Sequence, residues 1–320
     1  MAGLYFSRDI IIPFLLAVFL AILISPIITF MQKLKIPRVI SLIIVLLCFF
    51  GLFFIVGNVI AKNTTHFLTN LPDLQSKFMN FYTNLILNLS SITEHINFNE
   101  SIFSYINPNS IFLATSSALK WSSTLLSKTF VVLLLFVFMI IETNIFRDKV
   151  EYFSNLNLQN KIMLDKFISD LKRYLAIKTI ASMVTGLLVW ISLVFLEVSY
   201  APIWGILAFL LNYIPTIGSI IAAIPAILIS LLLNGYANAF IVTIIYVVIN
   251  ISIGNFIEPK FLGDKLGLST LVVILSLIFW GFILGVGGMF LAVPLTMSVK
   301  IAMSSNPKTK FISVLLSNKS

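Results

Sequence analysis

Of the 320 residues, 59% are hydrophobic and only 10% charged, with a mean hydropathy of +1.06. No water-soluble fold could hide that much apolar surface, so a soluble enzyme or binding module is excluded and a polytopic membrane protein remains. The net charge of +9 would suit a nucleic-acid partner, yet the basic residues fall in links between apolar runs, the pattern of membrane topology. The single cysteine, Cys48, lies inside an apolar run, which rules out an intrachain disulfide or a thiolate metal cluster. His66 and His95 lack metal-ligand spacing. There is no phosphate-binding glycine loop and no constellation of His, Cys or paired acids. The expectation is a protein with no catalytic residues, no metal and no cofactor.

In chain order, Ile10 to Ile28 is an apolar span with Pro13 in its first turn and Pro26 near its end, where neither breaks a spanning helix. Without a basic leader or a small-residue cleavage site it is expected to be retained. A basic link (Lys33, Lys35, Arg38) leads to a second span, Val39 to Ala61. Residues 62–127 form an extracytoplasmic segment in which Phe67, Leu71, Leu74, Phe78, Phe81 and Leu85 recur at helical spacing on one face. That face suits a helix lying on the membrane or on its neighbours. The same spacing also fits a seam between protomers of a homo-oligomer.

Residues 128–320 hold the remaining apolar runs and are expected to form a transmembrane transport core. Phe130 to Ile141 is a third span ending near Glu142, and after a mixed-charge link Tyr174 to Leu196 is a fourth, with Lys178 close enough to its basic end to snorkel to the interface. Stretch 201–233 is apolar but broken at Asn212–Gly218, and Tyr236 to Ile257 is a further full span halting at Glu258-Pro259. A polar turn (Gly263, Asp264, Lys265, Gly267) precedes stretch 266–302, broken by Gly281, Gly285, Gly287 and Gly288. Each half of that stretch covers only about half to two-thirds of a bilayer core of roughly 30 Å, so the pair is expected to dip in and return. The predicted fold class is all-α: about five full spans, two Gly/Pro-interrupted hairpins and an external amphipathic helical segment.

The two interrupted stretches share a faint repeat, Gly218-Ser-Ile-Ile-Ala-Ala-Ile-Pro225 against Gly287-Gly-Met-Phe-Leu-Ala-Val-Pro294. Paired broken helices are the sequence mark of a carrier's midplane site, because interrupted backbone offers amides and carbonyls to solutes and ions. The site residues predicted on this ground are Asn212, Pro215, Thr216, Gly218, Asn255, Glu258, Pro259, Gly285, Gly287 and Gly288. The competing reading is that the glycines only let helices pack closely. Ion coupling needs an intramembrane acid, for which Glu142, Glu197 and Glu258 are the candidates, all near span ends. With the 31–38 link in the cytoplasm, segments 144–173, 258–267 and the C-terminus fall on the same side and hold most of the 21 Lys and Arg.

The first span IPFLLAVFLAILISPI, Leu71-Pro72, Asn212-Tyr-Ile-Pro215-x-x-Gly218, and the run from Asn255-x-x-Glu-Pro259 through Trp280-Gly281 and Gly285-x-Gly287-Gly288 to Ala292-Val-Pro-Leu295 resemble the autoinducer-2 exporter family of bacterial permeases. The similarity covers nearly the whole chain. It implies a multi-pass inner-membrane carrier whose members are linked to export of the quorum-sensing signal autoinducer-2 and others to sodium or lithium exchange for protons. Relatives usually have one more hydrophobic span ahead of the Pro13-containing one, where this chain has nine residues. An intact mass above 35.8 kDa for the native protein would mark Met1 as internal. Many relatives also carry an acid at the position of Ile253. The resulting expectation is a secondary carrier, its partners a small-molecule or ion substrate and the lipid bilayer, exporting a small polar solute. Its rivals are a cation/proton antiporter and a non-transporting membrane assembly protein.

Overall fold

The computed structural model describes residues 8–92, 129–142, 158–262, 268–304 and 308–317. Among them every regular element is helical, and the polar turn 263–267, His95 and the rest of the external segment, 93–127, lie outside the described residues. α1 is Arg8–Lys33, α2 is Arg38–Ile92, and α3 is Thr129–Glu142. α4 is Leu158–Phe195, α5 is Ala201–Leu211, and α6 is Ile217–Asn234. α7, Tyr236–Asn250, runs through a π-helical stretch, Ile251–Ile257, into α8, Glu258–Leu262. α9 is Thr270–Phe290, α10 is Ala292–Ser304 and α11 is Lys310–Leu315. Six of these helices are long and apolar enough to cross a membrane, although Thr270–Phe290 reaches that length only across a kink at Gly285. Outward-facing residues such as Leu47, Phe54, Phe138 and Phe282 are large and apolar, as befits a surface solvated by lipid.

No break in the helix marks the expected boundary between the second span and the external segment. α2 continues through it for 55 residues, about 80 Å at roughly 1.5 Å per residue. Nothing from Ala61 to Leu71 breaks a helix, and the polar side chains there satisfy themselves locally, Asn63 donating to the Val59 carbonyl at 2.8 Å and Thr65 to that of Ala61 at 2.9 Å. Phe67, Leu74 and Phe78 are buried in one cluster with Ala201, Ile203 and Trp204. Phe67 meets the rings of Tyr200 and Trp204 edge-on, and Phe81 lies 5.3 Å from Tyr236. Phe67, Leu74 and Phe78 are therefore covered within the chain, while Leu71 and Phe81 are half-buried; nothing is described of the Leu85 side chain.

A second cluster joins α1, α2 and α3 through Ala17, Ile28, Val45, Leu133 and Phe136. Arg38 fastens its end by donating to the Ile140 carbonyl at 3.3 Å. α4 and α5 meet at glycine: a Cβ on Gly186 would lie 2.8 Å from the Gly205 carbonyl oxygen, so the two backbones touch and only hydrogen fits between them.

Candidate transport site at two hairpin tips

Hairpin one is α5, the Asn212–Thr216 turn and α6. It enters and leaves at the same end of the bundle, because Asn234 and Asn238 donate back to the carbonyls of Glu197 and Leu196 at 3.3 and 3.0 Å. α5 carries Pro202 in its first turn, where the missing amide costs nothing. With 11 residues, α5 reaches only about 16 Å into the bundle. The chain then reverses around Thr216, whose φ of 63° and ψ of −56°, with Ile217 N donating to the Pro215 carbonyl at 2.6 Å, form a γ-turn of the strained, positive-φ kind. Gly218 follows directly beneath the Leu211 carbonyl, with no room for a Cβ.

A β-branched residue at positive φ costs of order 1–3 kcal/mol. Thr216→Gly is therefore expected to raise the melting temperature of the detergent-solubilised protein by about 2–4 °C, after allowing for glycine's extra unfolded-state entropy. A fall would mean that the threonine side chain holds the turn.

Hairpin two is α9 and α10. Its entering leg is capped by the Ser269 hydroxyl, which accepts from Val272 N at 3.2 Å. The reversal comes at Gly285, with φ 64° and ψ −151°, a region open only to glycine. Gly288 then packs directly under the Trp280 carbonyl, Gly281 faces the Met289 side chain, and Trp280 Nε1 donates to Thr296 Oγ1 at 3.0 Å across the legs. The stretch therefore returns on itself as expected. The close-approach role of Gly218 falls on Gly288 in the second hairpin, one residue away from the register of the sequence repeat. Gly287 instead faces Ile12 of α1, where a Cβ would come within 2.7 Å of a methyl group.

The two tips meet. The Tyr213 ring stacks on Phe290 with centroids 4.4 Å apart and planes 21° from parallel. α4 supplies the polar wall behind them: Asn212 donates to Ser182 Oγ at 3.0 Å, and the Tyr213 hydroxyl donates to Thr179 Oγ1 at 2.7 Å. Next to Thr179 and one turn from Ser182 on α4, the Lys178 ammonium grips both oxygens of Glu258 at 2.8 and 3.0 Å, with side-chain exposures of 4% and 14%. Tyr174, a turn further along α4, is buried.

Lys178 therefore does not snorkel. α4 runs from Leu158 to Phe195, and within it the Lys178 side chain is buried against a carboxylate that neutralises it. Nor does the helix halt at Glu258-Pro259. The π-helical widening accommodates the proline ring, which would clash with the carbonyl four residues back in regular α geometry, and the chain continues into α8. Arg173 ties this end to α4 by donating to the Phe261 carbonyl at 3.0 Å.

Of the predicted residues, Asn212, Pro215, Gly218, Gly285 and Gly288 build the two tips, Thr216 is an exposed turn residue, and Glu258 joins the tips through α4. Asn255 and Pro259 are exposed residues of the π-helical stretch and α8, and Ile253 is buried. Lys178, Thr179, Ser182, Tyr213 and Phe290 were not among the predictions. A signal for the α4 wall existed: Lys178, Ser182 and Thr185 recur at steps of four and three inside an apolar run, and all three are buried.

The family model described as AI-2E family transporter matches residues 1–308. The chain belongs to the AI-2E transporter family. It is 36% identical over 318 residues to the AI-2 transport protein TqsA of Escherichia coli K12, covering 99% of this chain and 92% of that protein. A putative transport protein of Haemophilus influenzae is 37% identical over 325 residues, with the same coverages. YhhT of Escherichia coli K12, also a putative transport protein, is 32% identical over 320 residues, 99% of this chain and 90% of its own. This AI-2E chain is thus a multi-pass membrane transport protein.

Proposed function

We propose that the protein is a secondary carrier of the bacterial inner membrane, with its C-terminus in the cytoplasm, that exports a small polar solute such as autoinducer-2. The observation that carries this reading is the meeting of two interrupted hairpins, stacked through Tyr213 and Phe290 beside the buried Lys178–Glu258 pair. Hairpin tips let backbone approach a solute closely, while Asn212, Ser182, Thr179 and Tyr213 supply a hydrogen-bonding wall of alternating donors and acceptors. The paired charges cancel, which suits a neutral hydroxylated solute. The name of the relative TqsA supports autoinducer-2 as the substrate, and the export direction follows the family resemblance.

A second reading, sodium or lithium exchange for protons, is favoured by one feature: Glu258 is a carboxylate held at membrane depth, where exchange of its ammonium partner for a cation or proton would couple ion movement to the site. Proteoliposomes loaded with autoinducer-2, with parallel sodium and pH gradients, separate the two. Saturable autoinducer-2 efflux is expected. Sodium-driven pH change alone would select the antiporter, and flux of neither would overturn both.

A further inference from the structure

The π-helical stretch leaves a backbone acceptor without a donor. In that stretch Glu258 N donates to the Ile253 carbonyl, five residues back, so it is not available to Gly254, four residues back. The next amide in π register, at residue 259, does not exist because Pro259 has none. Among the described residues no side chain donates to the Gly254 carbonyl. Gly254 is exposed, and the space where a Cβ would sit is open to 4 Å. The exposed side chains of Ser252 and Asn255 flank it, likewise without a partner in the chain among the described residues. Ser252, Gly254 and Asn255 therefore offer exposed polar groups within two turns of Glu258, in a helix whose other exposed residues nearby, Val248, Ile251, Phe256 and Ile257, are apolar.

Hydrocarbon cannot solvate such a face: each unsatisfied backbone group there costs several kcal/mol, and irregular backbone at membrane depth occurs where it lines a wet cavity. We infer that Ser252, the Gly254 carbonyl and Asn255 line a water-filled vestibule leading to Glu258, an acceptor-rich seat for water and for hydrogen-bond donors of an entering solute. Pro259 is then the residue that makes the seat, by withholding the amide that would close it. This deepens the transport reading by giving the site its route of access.

Accessibility tests it. In a Cys48→Ser background, Ser252→Cys and Asn255→Cys are expected to react with the impermeant reagent 2-sulfonatoethyl methanethiosulfonate, applied separately to right-side-out and inverted vesicles, from one face of the membrane. Phe282→Cys, on a more exposed but apolar position, is expected to stay unreacted, since a thiol in lipid does not ionise. Each variant is first checked for an unchanged melting temperature, and whichever of Ser252 and Asn255 passes suffices. Protection of the passing cysteine from both faces overturns the vestibule, even where flux is intact. Labelling with no flux of any solute would leave the vestibule standing and sink the transport reading instead.

Discussion

Glu258→Gln is expected to abolish flux and to lower stability by about 3–5 kcal/mol, because it strands the Lys178 charge in a buried site. The carboxylate holds the ammonium with both oxygens, and only 4% of the lysine side chain is exposed; no other carboxylate is described within reach. Lys178→Met should do comparable damage from the other side, leaving the acid unpaired. The double variant Lys178→Met with Glu258→Leu separates structure from function: replacing a buried pair by apolar residues of similar size is often neutral or stabilising. The melting temperature should therefore recover while flux stays absent. Thermal melts in detergent and proteoliposome flux on the same four proteins make the measurement. Normal flux through the double variant would reduce the pair to a structural contact.

The second large effect is expected at Gly288. A side chain there would drive into the Trp280 carbonyl and carbon, which are backbone atoms on the opposite leg and cannot turn aside. Gly288→Val should splay hairpin two, breaking the Trp280–Thr296 hydrogen bond and the Tyr213–Phe290 stack, at a cost of about 3 kcal/mol, with loss of transport. Gly281→Ala should be milder, because it meets only the flexible Met289 side chain, and Gly51→Ala should be silent, having nothing within 4 Å. Equal melting temperatures for Gly288→Val and Gly51→Ala would show that the hairpin legs do not approach as described.

Hydropathy and punctuation made much of this legible in advance. Spans follow from apolar length, and the hairpins follow from Pro215, Gly218, Gly285 and Gly288, since a chain that must reverse at membrane depth needs residues without an amide or without a Cβ. What escaped was tertiary. Lys178 and Glu258 are 80 positions apart, and neither flanking sequence reveals that α4 and α8 bring them together. Proline read as a stop at Glu258-Pro259 because local rules assume α geometry, whereas a π-helical stretch absorbs the ring. The long α2 was divided at Ala61 because polarity changes there, yet a change of solvent along a helix does not require a change of backbone. The repeat misaligned Gly218 with Gly287 by one residue because identity matching cannot see which glycine lies beneath a carbonyl.

If solute passes between the hairpin tips, as proposed, the stacked rings of Tyr213 and Phe290 must part to let it through. Tyr213→Cys with Phe290→Cys, in the Cys48→Ser background, can be bridged by a short bifunctional methanethiosulfonate reagent in proteoliposomes carrying autoinducer-2. The expected result is that the unbridged double variant keeps a reduced but measurable efflux, having lost the ring stack and the Tyr213 hydroxyl, that bridging stops this residual efflux and a reducing agent restores it, and that the same reagent leaves the reduced efflux of each single cysteine variant unchanged. Efflux that continues unchanged with the two tips covalently joined would contradict it.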